Sequence, residues 1–214
     1  MSEKGKLSCT DCGVLNCYRQ EKEFPKGCPG EGVELERIKE LYRNDPFVSK
    51  IAGAAAEIEG LHYCKYTRVE ETIAFAKKIG AKKVGIATCI GLISETRTFV
   101  KILEAHGVES ICANCKVGSI DKADVGISEE LKLQKGCFEG MCNPVLQAEL
   151  FNEAGTDLNI IIGLCVGHDS LFIKYSNAPI TTLIIKDRVL GHNPAAALYN
   201  ANTYYRKLLT PPEA

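Results

Sequence analysis

From Lys83 onward, short runs of β-branched and aliphatic residues alternate with amphipathic helical stretches, and this alternation constrains the fold more than any other feature of the chain. It reads as an α/β class, a parallel sheet with crossover helices, because consecutive parallel strands need a connection long enough to recross the sheet. The pattern predicts strands over residues 84–88, 109–113, 159–164 and 181–186. Between them it predicts a helix over 94–106 closed by Gly107 and a short helix near 129–134. A helix over 144–154 carries Asn143 as N-cap, Pro144 at its first position and Gly155 as C-cap. A short helix capped by Asp169 and a last one opened by Asn193 and Pro194 complete the pattern.

Ahead of this region the chain reads differently. Residues 1–32 are rich in glycine and proline and show neither the helical nor the strand period, so they cannot build a core alone. Val33, Leu35, Ile38, Leu41 and Tyr42 then recur at helical spacing, and Asn44-Asp45-Pro46 ends that helix and opens another. Thr67 with Glu70 forms a capping box for a helix closed by Gly80. The organisation is therefore a small irregular cysteine module at 1–32, a helical segment at 33–80 and an α/β domain at 81–214.

Composition excludes several functions. With 214 residues, 45% hydrophobic and 25% charged, the chain can bury an ordinary core. A formal charge of -1 offers no long-range attraction for nucleic acid or an anionic membrane. The longest uncharged apolar run, residues 158–167, is half the length of about 20 residues that a spanning helix needs. The amino terminus, MSEKGKLSCTDCG, has no apolar stretch behind its charges, so no signal peptide is expected and the chain belongs in the reducing cytosol. Eleven cysteines in that setting point to metal binding or redox chemistry before disulfides, and an odd count argues against full pairing.

Four of them, Cys9, Cys12, Cys17 and Cys28, follow the spacing C-x2-C-x4-C-x10-C. Four thiolates are a soft donor set suited to zinc or an iron–sulfur cluster and unsuited to calcium or magnesium. Zinc ribbons use two C-x2-C knuckles and this segment has one, which favours iron–sulfur; a structural role fits the spacing as well as a redox one.

A second set lies at the strand ends. In a parallel sheet, residues that follow the strands and residues that open the next helices gather along one edge, where the active crevice of such folds lies. Cys89, Cys115 and Cys165 each follow a strand, and Cys142 stands just before a helix N-cap, so a second cofactor-binding site is expected from these four. The same edge is expected to collect Asn114, Lys116, His168, Asp169, His192 and Asn193, with Cys137 in the loop beside Cys142. Lys116, His168 and Asp169 are the candidate catalytic residues: a cation that favours thiolates, and an acid–base pair or a ligand with its orienting carboxylate. Cys112, inside a strand, and Cys64, after a helix, are expected to be buried packing residues. The turn Gly163-Leu164-Cys165-Val166-Gly167 matches no nucleotide-binding fingerprint.

The segments C-x2-C-G at 9–13, ATC-x-G-L at 87–92, MCNP at 141–144, GLCVGHDS at 163–170 and KDRVLGHNPAAALY at 186–199 together resemble one family. It is the cysteine-rich, uncharacterised metal-binding family DUF1847, found mainly in anaerobic prokaryotes. The resemblance spans nearly the whole chain and implies metal binding through cysteines, most directly at Cys9, Cys12, Cys17 and Cys28; it implies no activity. A cysteine-ligated metalloprotein performing anaerobic redox or sulfur-transfer chemistry, with a small molecule or a redox protein as partner, is the leading expectation. A zinc-binding redox or metal sensor and a metallochaperone are the alternatives.

Overall fold

Asp45 shows how literally the local signals are used: its Oδ1 accepts the amide hydrogens of Phe47 and Val48, both at 2.9 Å, which caps a helix with Pro46 at its first position. The computed structural model describes residues 8–19 and 23–210. It divides into two units, residues 1–53 and 54–214. The first holds a 3-10 turn at Cys9–Asp11, a short helix α1 (Asn16–Arg19), α2 (Leu35–Asn44) and the start of α3 (Pro46–His62). Glu36, Lys39, Glu40 and Arg43 line an exposed face of α2 with ion pairs of 2.9–3.1 Å, which solvent screens and which therefore add little to stability.

The second unit continues through α4 (Arg68–Lys78), β1 (Lys83–Thr88), α5 (Ile93–Ala105), β2 (Glu109–Asn114), α6 (Pro144–Glu153), β3 (Leu158–Ile162), α7 (His168–Tyr175), β4 (Ile180–Ile184) and α8 (Ala195–Tyr199). The capping box of Thr67 and Glu70 opens α4, and Asn143 accepts from the Leu146 amide at 3.1 Å to open α6. All four strands are parallel, in the order β2-β1-β3-β4. This is the α/β class with a parallel sheet and crossover helices.

That order has a functional consequence. The chain runs from β1 outward to β2, then returns to place β3 on the other side of β1, so the connections diverge between β1 and β3, the place where open parallel sheets bind their ligands. Helices α6 and α7 cover one face, where Ala87, Ala113 and Ile161 pack with Ala148, Phe151 and Phe172. Gly85 admits the Phe151 ring to this face: a Cβ there would lie 2.7 Å from Phe151 Cδ2 and 2.2 Å from Asn159 Oδ1. Helix α5 covers the opposite face, where Thr88 and Thr96 hydroxyls meet at 2.7 Å.

Several expectations are corrected. Residues 129–134 form only a 3-10 turn, Glu129–Leu131. The N-cap of α7 is Gly167; Asp169 sits in the first turn, where its Oδ1 accepts from the Gly167 and Ser170 amides at 3.0 and 2.8 Å. Cys64 is exposed with a left-handed φ of 55°, and Cys112 is exposed because β2 is an edge strand. Among the described residues, no helix is long and apolar enough to cross a membrane.

Candidate thiol site at the strand ends

The site follows from the two-residue period of a strand. Ala87 pairs in register with Ala113, and both face α6 and α7. Two residues further on, the same face is continued by Cys89 and Cys115, both buried. Cys112 and Asn114, one residue out of phase, belong to the other face, which keeps Cys112 out of the group. The ladder carries on past β1, since the Cys89 amide donates to the Ile162 carbonyl at 3.0 Å.

Cys142 reaches this place by a different route. The Asn143 amide donates to the Cys115 carbonyl at 2.8 Å, so the residue before α6 is fastened to the end of β2. The thiols of Cys115 and Cys142 are then hydrogen-bonding partners. Of the two, Cys142 is the thiolate: the Cys115 hydrogen bond, with Lys116 and His168 adding positive potential, brings its pKa down to about 5. The same partnership, reinforced by burial, pushes the Cys115 thiol up. The Cys115 sulfur also accepts the Ile90 amide at 3.4 Å.

Cys165 follows β3 after the turn at Gly163, whose φ of 68° and whose closeness to Leu92 Cδ1, 2.1 Å from a Cβ placed there, require glycine. Arg188 Nη2 donates to Cys165 Sγ at 2.9 Å, and this contact raises the arginine pKa, with smaller contributions from Cys89 and Cys142. The loop carrying Arg188 is closed on itself. Asp187 Oδ1 accepts from Val189 and Leu190, and the Asp187 amide donates to His192 Nδ1 at 3.1 Å, where His192 adopts a left-handed φ of 67°. Lys186 reaches the same edge: its Nζ and Cys89 Sγ would lie 3.5 and 3.9 Å from a Cβ at Gly91.

Of the candidate catalytic residues, Lys116 donates to the Gly140 carbonyl at 2.5 Å, and its charge helps to lower the Cys142 pKa. His168 opens α7, and its Nδ1 is buried with no hydrogen-bond partner. Asp169 is occupied by backbone amides at the same helix start. His192 is spent on its loop; with Asn193 it lines a separate 560 Å³ cavity that also includes Glu95 of α5. Cys137 is exposed in the loop before Cys142.

Two contributors, Gln147 and Arg188, fall outside the sequence reading. Gln147, fully buried in α6, donates through Nε2 to the carbonyls of Thr88 at 3.3 Å and Ala113 at 2.7 Å, tying together the ends of β1 and β2 just before Cys89 and Cys115. Arg188 had a signal: it follows β4, so the rule that gathers residues at strand ends applies to it too.

The N-terminal thiols are accessible: Cys9 and Cys17 are exposed, Cys12 and Cys28 half-buried, and the Gly30 amide donates to Cys28 Sγ at 3.4 Å. All eleven cysteines are free. Among the described residues, no three cysteine, histidine or carboxylate side chains stand in a metal-holding arrangement.

The model of a family described as a protein of unknown function, DUF1847, matches residues 28–183. An uncharacterized protein of Methanocaldococcus jannaschii is 48% identical over 204 residues, covering 95% of this chain and 98% of its own length.

Proposed function

The chain belongs to the DUF1847 family, for which no function is known, and we propose that it is a cysteine-ligated metalloprotein whose working centre is the thiol group at the strand ends. The observation that carries this reading is the meeting of Cys115 and Cys142 beside Cys89, with Arg188 on Cys165. Thiols must lose their protons to bind a metal, and that chemistry needs positive charge nearby. Lys116 and Arg188 supply it.

Cys89, Cys115, Cys142 and Cys165 would be the ligands, a soft set that selects an iron–sulfur cluster first and zinc second. To hold a metal with Cys142, Cys115 would have to give up its proton. Cys9, Cys12, Cys17 and Cys28 would hold a separate four-thiolate centre. A bound cluster would supply electron transfer or sulfur chemistry; Lys116 and His168, which lower the Cys142 pKa, would favour the thiolates that hold it. The setting is the reducing, anaerobic cytoplasm, and the partner a small molecule or a redox protein, with no nucleic acid involved.

A second reading is favoured by the same contact. A neutral thiol on a thiolate is the resting form of a dithiol sensor that oxidises reversibly to a disulfide. Anaerobic purification followed by a visible spectrum and iron, sulfide and zinc analysis separates the two. Brown protein with acid-labile sulfide supports the cluster. Colourless, metal-free protein in which Cys115 and Cys142 cross-link on mild oxidation supports the sensor and overturns the metal centre.

A further inference from the structure

Between β2 and α6 the chain makes an excursion, residues 119–141, that is ordered by charge. Lys132, its side chain 3% exposed, pairs with Asp121 at 2.8 Å and Glu129 at 2.5 Å and donates to the Cys137 carbonyl at 3.2 Å. Its hydrogen bonds hold both carboxylates below their usual range. Lys122 pairs with Glu139 at 2.6 Å, and Glu139 also accepts the Leu133 amide at 2.6 Å. At the foot of the excursion, Gly118 and Ser119 both adopt left-handed φ, 87° and 50°, a conformation that is costly for serine. A Cβ at Gly118 would meet Leu146 at 2.9 Å.

This framework borders an open pocket of about 410 Å³ lined by Lys116, Ser119, Leu133, Phe138, Glu139 and Gly140. The volume lies in the range of about 300–1,000 Å³ used for small molecules. Phe138 is 62% exposed, so its ring is not used to pack the core. A Cβ at Gly140 would touch that ring at 3.6 Å and the Lys116 stem at 3.9 Å, so the missing side chain leaves a slot between ring and lysine. Two charged groups line the cavity, and they are not equivalent. Glu139 is neutralised by Lys122 and occupied by backbone amides. Lys116 gives one N–H to the Gly140 carbonyl, and an ammonium has three, so it keeps donors for a ligand.

We propose that this cavity is the substrate pocket of the thiol centre and that it takes a small molecule with a carboxylate or other oxyanion attached to a flat apolar body. The anion sits on Lys116 and the flat body on Phe138. Lys116 follows Cys115 and Gly140 lies two residues before Cys142, so the pocket wall is built from segments that run directly into the thiol group, although no cysteine lines the pocket itself. The pocket's link to chemistry rests on the metal-centre reading; its selectivity for ligands does not.

Benzoate, benzamide and acetate, titrated into the full-length protein by calorimetry, test it, with iron and zinc measured on the same samples. Benzoate is expected to bind at least about tenfold more tightly than benzamide, which lacks the charge, and than acetate, which lacks the ring. Lys116→Met should abolish the preference for benzoate over benzamide, and Phe138→Ala, at an exposed position, should weaken benzoate about tenfold while leaving metal content unchanged. Equal affinity for benzoate and benzamide, unchanged benzoate binding in Phe138→Ala, or no benzoate binding overturns the pocket. A metal-free parent protein that still discriminates benzoate from benzamide supports the pocket and overturns the metal centre.

Discussion

Arg188 places its Nη2 2.9 Å from the sulfur of Cys165 although 23 residues separate them. The contact exists because β3 and β4 are parallel neighbours whose following loops leave the sheet at the same edge. A guanidinium keeps its charge at any working pH, so it offsets negative charge on the thiol centre.

Replacing Arg188 by Gln should therefore act on the centre and spare the fold. The side chain is exposed, and the change in stability is expected to stay within about 0.5 kcal/mol. In the metal-loaded protein the reduction potential should fall by roughly tens of millivolts, because an added electron is no longer offset by the cation. Protein-film voltammetry checks this; an unchanged potential would remove Arg188 from the site.

Cys142 gives the metal-free, reduced protein a defined pH response. Its folded pKa of about 5 lies below the ordinary 9.0, so its contribution to stability is complete above about pH 9 and is lost as pH falls toward 5. Cys115 is shifted the other way, and its contribution stays constant below 9.0. The urea midpoint of the parent should drop between about pH 8 and pH 5.5 more than that of Cys142→Ala. Alkylation mapped by mass spectrometry should find Cys142 reacting at pH 6 while Cys115 does not. Equal reactivity of the two would contradict the assignment of the thiolate.

Gln147 is a positioning residue. Gln147→Leu keeps the volume but leaves the Thr88 and Ala113 carbonyls without their buried donor, at a cost of about 1–3 kcal/mol. Because those carbonyls immediately precede Cys89 and Cys115 by one and two residues, metal content should fall as well. Denaturant melts and metal analysis on one sample measure both, and a variant as stable as the parent would show that the clamp contributes nothing.

Much of this was legible in the residues, and the limits have physical causes. The strands, the Thr67–Glu70 box and the Asn143 cap are local, set by side chains within four positions of each other, and they stand where the sequence puts them to within a residue or two. The gathering of strand-end residues follows from parallel pairing, whatever the strand order. Strand order itself is a long-range property, so the exposure of Cys112 on an edge strand was not readable. Gln147 reads as one polar residue in an amphipathic helix until α6 is laid across β1 and β2. Asp169 has the composition of an N-cap, yet Gly167, with its φ of 85°, starts the helix two residues earlier.

Gly163 tests the geometry of the edge. In Gly163→Ala the new methyl would fall 2.1 Å from Leu92 Cδ1 at a φ of 68°, combining overpacking with backbone strain, and a loss of about 2–4 kcal/mol is expected. Thermal unfolding of the variant checks it; a loss below about 1 kcal/mol would mean that the β3–Cys165 turn relaxes freely.

The most direct test of the central claim is metal and acid-labile sulfide per chain in a variant with Cys9, Cys12, Cys17 and Cys28 all replaced by Ser, purified without oxygen. The strand-end thiols are predicted to retain one centre with its visible absorption, and adding Cys115→Ala on that background to abolish it. A variant with the four N-terminal substitutions that carries no metal, or one that keeps its metal after Cys115→Ala, would contradict the account.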